Sequence, residues 1–511
     1  MRLLIPCVLA LTSSALHAQE AGVPIAGPGA IPPTTSATGA TRDLALTWPG
    51  TVHPVVEAGD YEVVVRFDAP LGEEEIKRFS AAAGPLLADL RWNDDNLVMR
   101  PAPGNRIEAE AEGNAVHVRI LAEAPALASG ENGMTADDGQ KELELARAQA
   151  DAAAGYPGQA RRRLSRLAAR DPSDTQIRRA LADAEAAEGA LPFAAARYTA
   201  LGADDLFARR IIGEADGRAT ANAILRHGKT FTQWEAGIDA SIRVGSGVAL
   251  GAGLRHVETA ANDVASAGGY IPHVRRGFNV GTLSAAAWFS PEARLVVQVS
   301  SLFERPVTGA GARLFLGPPE RQARLFASYR LPDFSTAEQS WRGGHLSRVG
   351  GGGTLRITPE LIAQADVGWN GYGLAGGGTR TTSITATAGA DYLILRGRRS
   401  LQLSYRLDAE YVRRQDRYPG GIPLIPLSDR ENHTVQAIFS MPLRQVQVTA
   451  AAGWTKDRYG GDGPTASLGA TANLGDAWRL DASGGVSSIS RQAVSGTQIY
   501  LQLTLTRFLR S

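Results

Sequence analysis

The sequence is poor in the residues that most often carry enzyme chemistry and covalent cross-links. It has a single cysteine, Cys7, and eight histidines among 511 residues. Because Cys7 lies in a predicted export signal, the mature chain is expected to have no disulfide, no thiolate metal ligand and no cysteine nucleophile. The histidines are scattered without metal-ligand spacing, and no catalytic or phosphate-binding motif occurs. These absences predict a protein without cofactor or metal that is not an enzyme.

Long apolar runs are also missing. Beyond the N-terminus, no window of roughly 18 residues is continuously apolar, which argues against a transmembrane helix. The N-terminus itself has a positive charge at Arg2, an apolar run from Leu3 to Leu11 and a small-residue cleavage site ending at Ala18. This pattern is typical of a secretory signal peptide spanning residues 1–18. If the mature chain enters a membrane, it is expected to do so as strands.

Neither charge sign dominates the whole chain, since 53 Lys and Arg face 52 Asp and Glu. The two signs are unevenly distributed: residues 1–212 hold 21 basic and 29 acidic side chains, whereas residues 213–511 hold 32 and 23. The acidic N-terminal part argues against nucleic acid as a partner. Glycine, with 57 residues, exceeds its usual share, so an ordered glycine-rich region is expected.

Composition and periodicity indicate a multidomain protein. A stretch rich in Pro, Gly, Ala, Ser and Thr after the signal predicts a disordered linker. Strand-like runs around a helical run from Glu73 to Leu90 indicate a small α+β module. The predicted order is a linker at 19–43, an α+β periplasmic module at 44–125, a linker at 126–138, TPR-like α-helical hairpins at 139–214 and a C-terminal antiparallel transmembrane β-barrel at 215–511.

A short internal repeat characterises the predicted helical segment. Four positions recur after 34 residues, the period of a tetratricopeptide repeat (TPR): Gly155 and Gly189, Ala160 and Ala194, Leu164 and Tyr198, and Leu167 and Leu201. In such a repeat the glycine lets two antiparallel helices approach and the alanine packs at the tightest contact. A generic stack of Ala-rich helical hairpins is the alternative. Because repeat stacks need about three units for stability, a helix from Asp204 to Ile212 or another protein is expected to complete the stack.

From Gly217 onward, apolar and polar residues alternate in segments of about ten residues. In the segment from Trp234 to Val244, every even position is apolar, and the odd positions from Glu235 to Arg243 are polar or glycine. Aromatic residues cluster near segment ends, which suits girdles at two membrane interfaces. A soluble sandwich also alternates, but its strands are shorter and need not end in aromatic residues. The pattern predicts a barrel in the outer membrane of a Gram-negative bacterium.

Short turns that alternate with longer connections predict the number of strands. They give fifteen strands from Trp234 onward, and the direction of the first of these requires another strand near Arg218 to Leu225. About 16 strands result, with 14 and 18 as alternatives, and a barrel of this size has an aqueous lumen unless it is plugged. The run from Gly350 to Gly353 is expected to make room for a ligand, a plug or a bend.

Arginine is the commonest charged residue at the predicted inward positions. Such a wall attracts anions and offers planar donors to carboxylate, phosphate or hydroxyl groups, which favours an anionic or polyhydroxylated cargo. Asp408 and Glu410 could in principle do acid–base work on a sugar, but we interpret them as part of a charged wall. The residues predicted to line the substrate path are Arg243, Arg255, Arg294, Arg324, Arg330, Arg356, Arg406, Asp408, Glu410, Arg444 and Arg479.

The predicted architecture resembles outer-membrane exporters of bacterial exopolysaccharides, such as those for cellulose, poly-N-acetylglucosamine and Pel. The likeness covers residues 139–511 and depends on the repeat at Gly155 and Gly189 followed directly by alternating strands. It implies that the barrel passes the polymer outward through outer-membrane lipid, and that the repeats dock a periplasmic synthase or modifying enzyme. Those families usually have more repeats, lack the 44–125 module and end in an aromatic residue, unlike this chain.

Three other functions are alternatives at this stage. Proteins that move lipoproteins to the cell surface also join periplasmic repeats to a barrel, typically of about 14 strands, so the strand number separates them from polysaccharide exporters. A structural or adhesive protein of the outer membrane would have a closed lumen. A barrel enzyme would need a polar cluster at the outer rim, and the sequence does not indicate one.

Overall fold

The computed structural model describes residues 42–48, 52–58, 63–68, 72–92, 96–102, 105–122, 136–397, 399–443, 446–475, 477–488 and 496–509. The predicted signal peptide, nearly all of the linker at 19–43, most of the linker at 126–138 and the predicted lumen residue Arg444 lie outside these residues. The chain divides into two compact units, one from Pro28 to Asp138 and the other including Gly139 to Ser511.

The first unit is a small module whose described part has seven strands and one α-helix. They are β1 (Arg42–Thr47), β2 (Val55–Ala58), β3 (Val63–Arg66), α1 (Glu73–Ala83), β4 (Leu87–Trp92), β5 (Asn96–Pro101), β6 (Asn105–Glu112) and β7 (Ala115–Ala122). One sheet has the order β1–β7–β6 and the other β2–β3–β5–β4. Alternate residues such as Val65 and Val118 point from the two sheets into one core, which Ile76 of α1 joins. This is the α+β character that the sequence predicted.

The helix of this module is shorter than the predicted run from Glu73 to Leu90. Gly84 has φ 52°, a left-handed conformation, and its backbone N–H donates to the carbonyl of Ser80. Pro85 follows within a short 3-10 turn. Because a left-handed residue and then a proline both interrupt α-helical geometry, the helix ends at Ala83, and the rest of the predicted run forms β4.

Five helices begin the second unit. They are α2 (Ala136–Ala153), α3 (Pro157–Arg170), α4 (Thr175–Ala187), α5 (Leu191–Leu201) and α6 (Leu206–Asp216), and we call them the helical stack. Asp174 and Asp205 cap α4 and α6, since each carboxylate accepts two backbone N–H groups at about 3 Å. In the described residues, no helix is both long enough and apolar enough to cross a membrane.

The remaining strands of the second unit include a closed antiparallel barrel of sixteen. Its strands are β8 (Gly217–His227), β9 (Phe231–Arg243), β10 (Val248–Ala261), β13 (Val274–Ser290), β14 (Ala293–Leu302), β15 (Val307–Leu316), β16 (Arg321–Asp333), β17 (Gly344–Arg356), β18 (Leu361–Leu374), β19 (Thr379–Leu395), β20 (Ser400–Gln415), β21 (Arg430–Leu443), β22 (Val446–Asp457), β23 (Asp462–Leu474), β24 (Trp478–Ser487) and β25 (Gln498–Phe508). The predicted strand number is confirmed. The first strand, predicted near Arg218 to Leu225, is β8, and it closes the barrel by pairing with β25.

The outer surface of the barrel is apolar. Large hydrophobic side chains at alternate positions are exposed, including Ile238, Leu283 and Leu468 at 64%, 67% and 61%. The aromatic residues predicted for the girdles, among them Trp234 and Trp369, lie on the same outward face. An apolar belt of this extent would be costly in water and is the expected surface toward lipid. We therefore treat these strands as membrane-spanning.

The two ends of the barrel differ in their connections. At the short-turn end, the connections at 244–247, 291–292, 317–320 and 357–360 have two to four residues. At the long-loop end, the connections at 262–273, 334–343 and 416–429 are longer; they contain a hairpin of β11 (Val264–Ser266) and β12 (Gly269–Ile271), and helix α7 (Ala337–Arg342). Strand β21 continues through Leu443, where its pairing with β22 ends.

Candidate transport lumen

Most of the inward-facing arginines are paired with carboxylates, and several of these carboxylates are on the neighbouring strand. Arg255 Nη1 lies 3.0 Å from Glu235 Oε2, and Arg406 Nη2 lies 2.6 Å from Asp391 Oδ2. Arg226, which the sequence analysis did not select, adds a second ion pair to Glu235 at 2.7 Å. These pairs cancel much of the positive field that an arginine count alone predicts.

The glycine run of β17 makes room for inward side chains of the adjacent strands. A Cβ at Gly350 would lie 2.6 Å from Phe326 Cζ, and one at Gly352 would lie 2.6 Å from Asp366 Cγ. The space allows Asp366 to accept two bonds from Arg324, at 3.2 Å from Nε and 2.8 Å from Nη2. The predicted opening at Gly350 to Gly353 is therefore filled by neighbouring side chains.

Asp408 and Glu410 are joined by an arginine that the sequence analysis did not select. Arg430 Nη1 lies 2.5 Å from Asp408 Oδ2, and its Nη2 lies 3.3 Å from Glu410 Oε2. Glu410 also accepts hydrogen bonds from Tyr372 at 2.7 Å and from Ser383 at 2.5 Å. Both carboxylates are nearly fully buried, so their arrangement is that of a charge-paired wall.

Two inward arginines lie against aromatic rings instead. The guanidinium of Arg294 is 4.6 Å from the ring centre of Phe315 and 5.6 Å from that of Trp288. That of Arg348 is 4.6 Å from the ring centre of Phe326. Stacking on a ring face stabilises the cation and leaves the N–H edges of the guanidinium free to donate. Neither arginine forms an ion pair with a carboxylate among the described residues.

The other predicted lumen residues occupy more specialised positions. Arg243 forms an ion pair with Asp216, the last residue of α6. Arg330 has φ 52° at a bulge between β16 and β17, and its N–H donates to Ser347 Oγ at 3.1 Å. Arg479 lies 3.2 Å from Asp481 and over the ring of Phe508. Arg356, at the short-turn rim, lies 5.9 Å from the ring centre of Tyr156 in the helical stack.

The opposite side of the barrel presents small inward side chains. Inward positions of β22 to β25 alternate with outward ones such as Leu468 and Leu503, and most of them are Gly, Ala, Ser, Thr, Asn or Gln. A Cβ at inward-facing Gly469 would have no neighbour closer than 3.8 Å. The lumen therefore has one wall of arginine and aromatic side chains, on β13 to β18, and one wall of small polar side chains.

Three connections at the long-loop end fold into the barrel; we call 262–273, 334–343 and 416–429 the inward loops. Helix α7 contacts β10 and β13 on one side and β17 and β18 on the other, although β14 to β16 separate these strands around the wall. Glu338 of α7 accepts the backbone N–H of Ala265 at 3.0 Å, and Arg342 donates to Tyr418 at 2.7 Å. Apolar residues of these loops, such as Ile425, join inward side chains in small hydrophobic clusters. The inward loops thus narrow the lumen at this end.

The helical stack packs on the rim of the short-turn end. Arg162 Nη1 lies 2.9 Å from Glu292, which also pairs with Arg161. The backbone N–H of Gln159 donates to Glu320 Oε1 at 3.2 Å. Both carboxylates belong to short turns, between β13 and β14 and between β15 and β16. This contact places the start of α3 below the arginine-bearing wall.

A buried carboxylate lies behind this contact. Glu188 has no exposed side-chain surface and accepts a 2.7 Å bond from Arg161 Nε. Burial raises its pKa to about 7 against the opposing effect of Arg161, and the nearby Glu320 and Glu292 raise it further. Burial also raises the pKa of Glu320. The rim contact therefore contains an acidic group, Glu188, whose charge depends on pH near neutrality.

The residues predicted for repeat packing lie in the core of the helical stack or at its turns. Ala160, Leu164, Ala194 and Tyr198 are almost completely buried, and Tyr198 donates to Asp183 at 2.6 Å. Gly155 and Gly189 end helices with φ 85° and 76°. The close neighbour of Gly155 is the guanidinium of Arg356, 2.7 Å from an ideal Cβ, whereas Gly189 has no neighbour within 4 Å. What the two positions share is therefore a left-handed backbone conformation, which glycine adopts readily.

Gly158 provides a test of the rim contact. A Cβ there would lie 2.6 Å from Glu320 Oε1 and 2.7 Å from Pro318 Cγ. We expect Gly158→Ala to destabilise α3 by about 1–3 kcal/mol through overpacking, although alanine intrinsically favours helix by about 1 kcal/mol. Hydrogen exchange of the amides in α3 would measure this loss.

Gly213 supplies the matched control for that substitution. It is also a helical glycine, but a Cβ there would lie at an ordinary 3.5 Å from Phe508 Cβ. Gly213→Ala should leave α6 unchanged or slightly more stable. If Gly158→Ala stabilised α3 as much as Gly213→Ala stabilises α6, Gly158 would not be in tight contact with the turn at Pro318 and Glu320.

Metal binding finds no support in the described part of the chain, where no cluster of three or more His, Cys, Asp or Glu side chains could hold an ion. The important lumen residues that sequence reasoning missed are Arg348, Arg430 and the rings of Trp288, Phe315 and Phe326. Strand alternation alone assigns these side chains to the inward face of the barrel. It does not give their neighbours across strands, which require the register.

No protein-family model and no curated protein matches the chain. Among solved structures, a bacterial polysaccharide outer membrane secretin is 7% identical, with 58% of this chain and 99% of that chain covered and a TM-score of 0.45. An anion-selective porin from Comamonas acidovorans is 13% identical, with 57% and 98% covered and a TM-score of 0.30. Salmonella typhi OmpF in complex with daunomycin is 8% identical, with 57% and 97% covered and a TM-score of 0.31. At these scores the likeness concerns the general form of a barrel and does not extend to function.

Proposed function

We propose that the protein is an outer-membrane pore that exports a bacterial exopolysaccharide. The observation that carries the proposal is a closed barrel with an apolar exterior and a polar lumen, whose short-turn rim carries a docked helical stack. Barrels of this strand number enclose an aqueous channel. The sixteen strands favour this function over lipoprotein translocation, for which a smaller barrel is expected.

In this proposal the helical stack lies in the periplasm. Bacterial outer-membrane barrels have short turns on the periplasmic side, and the stack docks at the short-turn end. We propose that its hairpins are TPR-like repeats that dock a synthase or modifying enzyme, which would deliver polymer to the adjacent rim. The barrel would then transfer the polymer passively, without a cofactor and without catalysing a reaction.

A pair of substitutions on neighbouring residues tests export through the lumen. In cells that depend on this chain for polymer release, Gly469→Trp should reduce the ratio of released to periplasmic polymer, because the added ring enters the lumen. Leu468→Trp should leave the ratio unchanged, because that side chain is on the lipid face. Both variants must reach the membrane in equal amounts.

The outcomes separate the proposed function from its alternatives. Loss of the whole chain should trap polymer in the periplasm, and re-expression should restore release. Unchanged release in the absence of the chain would contradict the proposal. If a panel of surface lipoproteins disappeared from the cell exterior instead, protein translocation would be the better explanation, and no change in either cargo would favour a closed structural protein.

A further inference from the structure

Three inward-facing arginines of the barrel lie against an aromatic ring without being paired to a carboxylate of the described residues. Arg294, Arg348 and Arg356 lie against aromatic rings, and none of them forms an ion pair with a carboxylate in the part of the chain that the structure describes. The remaining carboxylate-paired arginines, such as Arg406, hold the wall together. The charge of the three is therefore available to a ligand.

The three arginines occupy successive levels of one wall. Strand register places Arg294, Phe315, Arg324 and Gly352 side by side in a single row. On β17, Arg348 lies four residues from Gly352 toward the long-loop end and Arg356 four residues toward the rim. At about 3.4 Å per residue, successive levels are about 14 Å apart along the strand.

The level of Arg348 also has unused hydrogen-bonding groups. Its cross-strand row contains Gln298, Gly311, Ser328 and Asn370. Gln298 and Asn370 are only 5% and 3% exposed, yet Gln298 Oε1, Asn370 Oδ1 and Arg348 Nε have no hydrogen-bond partner. Buried polar groups are normally satisfied. One acceptor, Asn370, is on the strand next to the cationic donor, and the other, Gln298, is three strands away in the same row. Together they match a ligand that carries both hydroxyl and anionic groups.

The first level adjoins the helical stack. Arg356 lies over Tyr156 and donates to the carbonyl of Pro359 at 2.8 Å, while its Nε has no partner. The turns that contact α3, which contain Glu292 and Glu320, belong to the same arc of the barrel. A polymer that arrives along the stack would meet Arg356 first, Arg294 next and Arg348 last.

We infer that these three arginines and their rings form a track that binds an acidic polysaccharide, whose sugar residues carry carboxylates. A planar guanidinium held on a ring donates two parallel hydrogen bonds to a carboxylate, and the amide oxygens at the third level accept sugar hydroxyls. The inference rests on the proposed function for the polymeric nature of the ligand, and it specifies the chemistry of that polymer.

Equilibrium binding to the folded full chain in detergent tests the track. The probes are fluorescein-labelled oligogalacturonate and a neutral malto-oligosaccharide of equal length, followed by fluorescence anisotropy at low ionic strength. We expect the acidic probe to bind at least tenfold more tightly. Arg294→Gln and Arg348→Gln should each weaken its binding by about tenfold, since each removes hydrogen bonds to a charged group.

The matched control removes an arginine together with its carboxylate. Arg406→Gln combined with Asp391→Asn deletes a paired arginine on another part of the wall and leaves the net charge unchanged, so binding of the acidic probe should not change. The heat-dependent gel mobility of the barrel verifies folding of every variant. If an arginine variant fails to fold, the comparison of the two probes on the unaltered chain still tests whether the lumen prefers the acidic sugar.

Equal binding of acidic and neutral probes, or equal loss of binding in the control, would overturn the inference. Failure of the proposed function looks different, because polymer release in cells would then not depend on the chain even if the acidic probe bound. Conversely, release that depends on the chain, with no preference between the probes, would retain export and reject the acidic track.

Discussion

Replacing Arg430 with alanine should lower the free energy of unfolding of the barrel by about 3–5 kcal/mol, the usual cost of removing one partner from a buried charged group. The side chains of Arg430, Asp408 and Glu410 are only 11%, 9% and 2% exposed. Without the guanidinium, two carboxylates on one strand face would remain close together and poorly hydrated. Urea unfolding followed by tryptophan fluorescence in lipid vesicles would measure the loss.

The control for this prediction neutralises the carboxylates first. In an Asp408→Asn and Glu410→Gln background, Arg430→Ala should cost much less, because no uncompensated acidic pair remains. The difference between the two costs isolates the charge coupling from the loss of packing. Equal costs in both backgrounds would mean that Arg430 stabilises the barrel through packing alone. The interpretation of these side chains as a charge-paired wall would then be wrong.

The barrel itself was predictable because each strand repeats the same signal. Alternation gives the face of every residue, so the outward Trp234 and the inward Glu235 could be assigned without coordinates. The alternation of short and long connections then predicted the number of strands, including the first strand. The repetition compensates for the weakness of the pattern in any one segment.

Cross-strand partners could not be predicted in the same way. The strand pattern did not select Arg430, which the structure makes the first residue of β21, opposite Glu410. Gly309 of β15 is likewise required by a cross-strand contact, because the backbone of the bulge at Arg330 closely approaches it.

The contact between the helical stack and the barrel was beyond sequence reasoning for a related reason. Arg161 and Glu292 are 131 residues apart, and nothing in either segment indicates the other. Gly155 was assigned to helix packing from its repeat spacing, and Arg356 to the lumen from strand parity. The structure brings these two residues together at the rim, which is where the proposed polymer track begins.

The rim contact also predicts a dependence on pH. The free energy of unfolding of the helical stack should fall by about 3 kcal/mol as pH rises from about 4.5 to about 7, because burial raises the pKa of Glu188 from 4.5 to about 7. Between these values the folded state keeps a proton that the unfolded state has released. Stability due to this group is therefore full at low pH, lost through the interval and constant above it.

Glu188→Gln isolates the contribution of this group from those of other carboxylates. Burial also raises the pKa of Glu185, whereas hydrogen bonds from Lys141 lower the pKa values of Asp171 and Asp174. The pH dependence of the unfolding free energy of the unaltered chain is therefore the sum of several contributions. The glutamine keeps the shape and cannot ionise, so the difference in stability between the two chains should change by about 3 kcal/mol across the interval. Hydrogen exchange of α3 and α4, corrected for the intrinsic pH dependence of exchange, gives that difference. A constant difference would mean that Arg161 keeps Glu188 ionised throughout, and that the rim contact holds a permanent ion pair.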